Sequence, residues 1–206
     1  MKAVSIDKET INTMPRVTFP GRVHVIDAIS QVKSAVTALR TAGVVGFDTE
    51  TRPCFKRGER HKAALIQLST DTDAFLFRVN MTGIPEVLKA FLEDPRRIKV
   101  GLSTNDDFHQ LSRLIDIHPQ GFVELQQLVK EFEIIDMSLQ KIYAILFQQK
   151  ISKSQQLTNW EAAELTEAQQ SYAAIDAWAC LRIYDYLKGG NFDPIKSPYY
   201  QIIDNR

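Results

Sequence analysis

From Gly21 onward, short apolar runs alternate with longer amphipathic stretches. RVHVI (22–26) alternates with the period of a strand, and AISQVKSAVTALRTAG (28–43) sets Ile29, Val32, Val36 and Leu39 at helical spacing before Gly43 as a stop. VVGFDTE (44–50) is a short β-rich run. AALIQLST (63–70) and AFLFRV (74–79) both read as strands, and the polar DTD of 71–73 between them is a hairpin signal. Helix then alternates with strand: PEVLKAFLED (85–94) predicts a helix, RIKVGLS (97–103) a strand and DDFHQLSRLI (106–115) a helix. From about 122 the pattern is mostly helical, with a polar interruption at QKISKSQQLTNW (149–160). The last strong element is TEAQQSYAAIDAWACLRIYDYLKGG (166–190). Thr166 and Gln169 make a capping-box pair at its start, and Gly189-Gly190 close its end.

An antiparallel meander followed by strands separated by helices predicts an α/β fold, a mixed sheet with helices on its faces, in a single domain over 21–190. Residues 1–20 are polar, lack periodicity and end in Pro15 and the Phe19-Pro20-Gly21 turn, which predicts a flexible N-terminal segment or an edge. Residues 191–206 form a tail too short to fold alone.

Composition narrows the class. The 206 residues suffice for one core without staples, and two cysteines, Cys54 and Cys180, are too few for a disulfide framework, so a reducing, cytoplasmic setting is expected. No apolar run is long enough to span a membrane, and MKAVSIDKET lacks the apolar core of a signal peptide. The balance of 25 Lys and Arg against 25 Asp and Glu excludes a charge-coated nucleic-acid binder but leaves room for one basic strip beside one acidic site.

Phosphate loops of the GxxxxGK[ST] kind, GxGxxG, GxSxG, HExxH and CxxC are all absent. What remains is carboxylates near the ends of regular elements. Asp48 and Glu50, two apart in an extended run, project to the same face, and a bound cation is the natural compensation for their repulsion. Chance alone supplies roughly one Asp-x-Glu in a chain of this composition. Asp7-Lys8-Glu9 has that spacing too, but only Asp48 follows an apolar run, VVGF. Tyr172 and Asp176, at i and i+4 of a helix, share a face, although a half-buried helix tyrosine is the ordinary reading of Tyr172. Of Asp106 and Asp107 at a helix start, Asp106 is expected to act as the cap and Asp107 to be functional.

VVGFDTETRP (44–53), KVGLSTNDDFHQL (99–111) and YAAIDAWA (172–179) resemble, in order and spacing, the three motifs of DEDD-superfamily 3′–5′ exonucleases. They look most like the subfamily with Tyr-x-x-x-Asp as third motif, that of ribonuclease D and Werner-type exonuclease domains. HKAALIQLST and LTNWEAAELTEAQQSYAA are similar to that family as well, so the resemblance covers roughly 20–190. Asp48 and Glu50 match the first motif. Asp107, six residues after Gly101 and four before Leu111, matches the second, and Tyr172 and Asp176 match the third. A related branch has histidine five residues before the last aspartate, where this chain has Ser171.

The resemblance implies a ribonuclease H-like mixed sheet flanked by helices. It also implies that Asp48, Glu50, Asp107 and Asp176 hold two divalent cations, Mg²⁺ or Mn²⁺, for 3′–5′ exonucleolytic hydrolysis at a single-stranded 3′ end of DNA or RNA, with Tyr172 orienting the attacking water. The alternative is a noncatalytic nucleic-acid-binding module on the same fold, which loss of a motif carboxylate would favour; all four are present. In the basic segment 51–62, Arg52, Lys56, Arg57, Arg60 and Lys62 are candidates for phosphate contact, as is Lys153. Phe55 and Phe108 are candidates for base stacking, with core packing the more ordinary role for aromatics at such positions. His109 reads as structural or surface, Trp160 and Trp178 as packing anchors, and Cys54 has no paired histidine to make it a nucleophile.

Overall fold

The computed structural model describes residues 2–54 and 61–202. Six strands form one mixed sheet: β2 (Arg22–Ile26), β3 (Val44–Thr51), β4 (Ala63–Ser69), β5 (Asp73–Phe77), β6 (Ile98–Gly101) and β7 (Phe122–Glu124), in the order β2-β5-β4-β3-β6-β7. The β3-β4-β5 meander is antiparallel, and β2, β6 and β7 join in parallel pairings. The helices are α1 (Lys8–Thr13), α2 (Ile29–Leu39), α3 (Val79–Thr82), α4 (Glu86–Leu92), α5 (Thr104–Ser112), α6 (Leu125–Leu128), α7 (Leu139–Phe147) and α8 (Glu167–Lys188). Among the described residues no helix is long and apolar enough to cross a membrane.

Each face of the sheet carries its own core. On one side Val32, Val36 and Leu39 of α2, Leu88, Phe91 and Leu92 of α4 and Leu111 of α5 pack on Phe47, Ile66, Leu68 and Phe77. The apolar stripe of α2 begins at Val32, and Ile29 stays exposed. On the other side lie α7 and α8, and a smaller cluster joins Trp160 and Ala173 to Leu65 and Leu76. Central strands β3 and β4 are therefore covered on both faces, and all seven residues of β4 are buried.

Three elements differ from the sequence reading. Residues 2–20 are not a loose leader: β1 (Lys2–Val4) pairs antiparallel with β8 (Tyr200–Ile202) of the tail, and Val4, Ile6, Ile11, Met14 and Val17 enter the core with α7 and α8. Each fully buried aliphatic side chain of this kind contributes about 1.5–3 kcal/mol. Their spacing in sequence fits neither one helix nor one strand, because a strand, a short helix and an extended stretch share the work. Phe122–Glu124 is an edge strand inside the stretch that reads as helical. Phe108 is no free stacking platform: its ring packs edge-on to Phe122 at 4.8 Å and lies 6.5 Å from Phe47.

Candidate active site

Three elements converge at the end of β3. Asp48 and Glu50 project from that strand toward α8, whose long run of good helix formers is started by the Thr166–Gln169 capping box and stopped at Gly189. Gly46 brings the helix close. A Cβ there would stand 1.8 Å from the Ala177 carbonyl oxygen, so only a residue without one lets α8 lie directly on β3. As a result carboxylate oxygens of Asp48, Glu50 and Asp176 lie within 4.8 Å of one another.

Asp107 joins from α5. Its Oδ1 accepts a hydrogen bond of 2.5 Å from the Thr49 hydroxyl, which ties the helix to the strand between the two first-motif carboxylates. Asp106 does not cap α5. The residue before the helix, Ser103, sits in the left-handed region (φ 61°) with no side-chain cap. The cap comes instead from Glu124 at the end of β7, which accepts from the Ser103 and Thr104 backbone N–H groups at 3.0 and 2.7 Å and from the Thr104 hydroxyl at 2.9 Å. Sequence reasoning misses Glu124 because its partners are about twenty positions away and no spacing rule links them. Gln67 is missed as well. It is the cross-strand partner of Asp48, is fully buried, and has no hydrogen bond at either amide atom.

The electrostatics are those of uncompensated crowding. Burial pushes the Asp48 carboxyl up to about 7 against one backbone N–H bond from Thr49. Burial and then the charges of Asp48, Asp176 and Asp107 push Glu50 up to about 10. Asp107 rises to about 8 through burial and Asp48, despite the Thr49 hydroxyl, and burial raises Asp176 well above the ordinary carboxylate range, with Lys153 acting in the opposite direction. Tyr172 is pushed up by burial and by Asp176 and Glu50, and its ring leans on Trp160 at 6.0 Å. Cys180 lines the same cleft, and burial followed by the nearby carboxylates keeps its thiol protonated.

Asp48, Glu50, Tyr172, Asp176 and Cys180 line a cleft of about 540 Å³ together with Lys153, Gln156 and the apolar Leu102, Met137 and Leu139, whereas Asp107 is joined to it only through Thr49. Of the basic segment, Arg52 is held by Glu161 at 3.5 Å, with His61 at 4.0 Å from the same carboxylate, and Lys62 is exposed. Phe55, Lys56, Arg57 and Arg60 lie outside the described residues. His109 is bonded to the Asn105 carbonyl oxygen, Cys54 is exposed, and Trp160 and Trp178 are buried.

A family model described as 3′-5′ exonuclease matches residues 23–189. The bifunctional 3′-5′ exonuclease/ATP-dependent helicase WRN of Mus musculus is 32% identical over 186 residues, covering 85% of this chain and 13% of the relative. Among solved structures, the Nibbler EXO domain of Aedes aegypti superposes with a TM-score of 0.74 at 22% identity, over 87% of this chain and 96% of that one. Escherichia coli RNase D superposes with a TM-score of 0.72 at 25% identity, over 81% of this chain and 44% of that one.

Proposed function

The chain belongs to the 3′-5′ exonuclease family, and from that premise we propose that it hydrolyses phosphodiester bonds stepwise from the 3′ end of a DNA or RNA strand, releasing nucleoside 5′-monophosphates. The observation that carries the reading is the trio Asp48, Glu50 and Asp176, with oxygens within 4.8 Å and Asp107 fastened beside them through Thr49. Three like charges held this close are tolerated only when protonated or when a cation neutralises them.

The donor set suits a hard divalent cation. Its candidate ligands are all carboxylate oxygens, and the one cysteine lining the cleft among the described residues, Cys180, stays a thiol and not a thiolate ligand. Two cations, Mg²⁺ or Mn²⁺, held by Asp48, Glu50, Asp107 and Asp176, would supply an acidified water and positive charge at the scissile phosphate. The chain's own groups do the rest. Tyr172, whose phenol keeps its proton throughout the working range, is a hydrogen-bond donor that positions the water and does not act as a base. Lys153, exposed at the cleft edge, meets the negative charge of the incoming phosphate. Leu102, Met137 and Leu139 give the terminal sugar and base an apolar surface.

Incubation of the purified chain with DNA and RNA strands labelled at either end, in Mg²⁺, Mn²⁺ or EDTA, tests this. Shortening from the 3′ end only with metal is expected. Strands that stay full length under every metal condition overturn the proposal in favour of a noncatalytic binding module.

A further inference from the structure

A second groove, of about 500 Å³, opens from the acidic cleft and shares Ser138, Gln140 and Lys153 with it. Among the described residues that line it, five are cationic, Lys8, Arg16, Lys141, Lys150 and Lys153, and none is acidic. Lys141 is engaged by Asp136 at 2.6 Å, and the Lys150 ammonium donates to the Asn12 carbonyl oxygen. Lys8, Arg16 and Lys153 are exposed and form no ion pair among the described residues. Asp7 and Glu9 flank Lys8 in α1, but neither lines the groove, and the Asp7 carboxylate accepts from the Thr10 N–H and hydroxyl.

The far wall is the N-terminal segment, and it is fastened. The Val17 N–H donates to the Lys150 carbonyl oxygen at 3.0 Å, the Lys150 N–H donates to Pro15 at 2.9 Å, and Ile11, Met14 and Val17 are buried. Lys8 and Arg16 lie outside the stretch that the family model matches.

Resting on the exonuclease reading, we propose that this groove binds the phosphate backbone of the nucleotides on the 5′ side of the one being removed. A strand whose 3′ terminus enters among the carboxylates leaves the cleft past Lys153, and its next phosphates then meet Lys8, Arg16 and Lys150. Among the described residues no aromatic side chain lines the groove, so it grips the backbone electrostatically and reads no base. Its substrate is a single strand extending several nucleotides from the cleavage point.

The test compares the unaltered chain with Lys8→Ala/Arg16→Ala on single strands of about twelve nucleotides. KM is expected to rise about tenfold with kcat changed less than about twofold. In EDTA, fluorescence anisotropy should give a salt slope of log Kd shallower by about 1.4, the loss of two single-strand phosphate contacts at roughly 0.7 each. Lys8→Arg/Arg16→Lys should restore both readings, which separates lost charge from lost folding. An unchanged KM and slope in the alanine variant overturn the groove, as does failure of the charge-conserving variant to rescue while its thermal melt matches the unaltered chain. A chain that binds strands in EDTA with this slope change but never shortens them with metal overturns the exonuclease reading and leaves the groove standing.

Discussion

Asp73 and Asp48 are the same side chain under opposite treatment. At the β2–β5 edge Asp73 accepts from His24 Nε2 at 2.7 Å, the Thr72 hydroxyl at 2.7 Å and Arg22 Nε at 3.0 Å, and these partners, His24 first, hold its carboxyl down at about 2. Asp48, half-buried on β3 where α8 packs against it, receives one backbone N–H, and desolvation lifts it to about 7. Where a carboxylate serves only structure, the fold surrounds it with donors. Where Asp48, Glu50 and Asp176 converge, the donors are few, the Thr49 N–H on Asp48 and the Tyr172 hydroxyl on Asp176, and burial outweighs them.

The contrast is broken most severely by removing the site charges. Asp48→Asn or Asp176→Asn should lower kcat by about 10³-fold or more in the strand-shortening assay, while the metal-free Tm at pH 9 rises because repulsion is relieved. Asp73→Asn should do the reverse, lowering Tm and sparing kcat. Gly46→Ala comes next. The new methyl must displace α8 from β3, so a loss of roughly 10–100-fold in kcat and several degrees in Tm is expected, although no carboxylate has changed.

The pH dependence of stability separates the two regions by sign. Each site carboxylate holds its proton more tightly folded than unfolded, so it favours the fold fully below its ordinary value near 4. That benefit disappears as pH climbs through about 7 for Asp48, 8 for Asp107 and 10 for Glu50. Asp73 contributes above its ordinary value and is lost as pH falls through about 2. The metal-free Tm should therefore decline from pH 6 to 10 by more than about 5 °C, and millimolar Mn²⁺ should flatten the decline. A metal-free Tm that stays level over this range would contradict the crowding.

Glu124→Ala should cost about tenfold in kcat through Asp107, with a smaller loss of stability typical of a lost helix cap, read by activity and melting together. Arg22→Ala, at an exposed ion pair, should move Tm by less than about 2 °C.

Much of this was legible in local pattern. The β3-β4-β5 meander, α2 and α8 with its capping box follow from alternation and helical spacing, and Asp48 and Glu50 stand at the end of β3 while Asp176 lies mid-way along α8. Non-local solutions were not legible. The cap on α5 is a glutamate from another strand, Asp106 beside it does no capping, and β7 is a three-residue edge whose burial depends on β6. The N-terminal segment looked loose because its apolar residues are divided among three short pieces that make sense only against α7 and α8. The repulsion between Asp48 and Glu50 follows from their spacing in a strand, but no local pattern joins them to Asp176, which only the family resemblance set beside them and which α8 brings into contact range.

The β1–β8 ladder has a mechanical consequence. Lys2 faces Ile202 across an antiparallel pair, so tension applied at these two residues opens the ladder from one end, bond by bond, and does not shear it. The part released first is β8, whose Gln201 and Ile202 are exposed, because β1 is also held by the Val4 N–H to the Glu133 carbonyl oxygen, the Ile135 N–H to the Val4 carbonyl oxygen and the buried side chains of Ala3 and Val4. A pull on these two residues would therefore strip the tail and leave the segment carrying Lys8 and Arg16 in place, pinned by the Val17–Lys150 and Lys150–Pro15 backbone bonds.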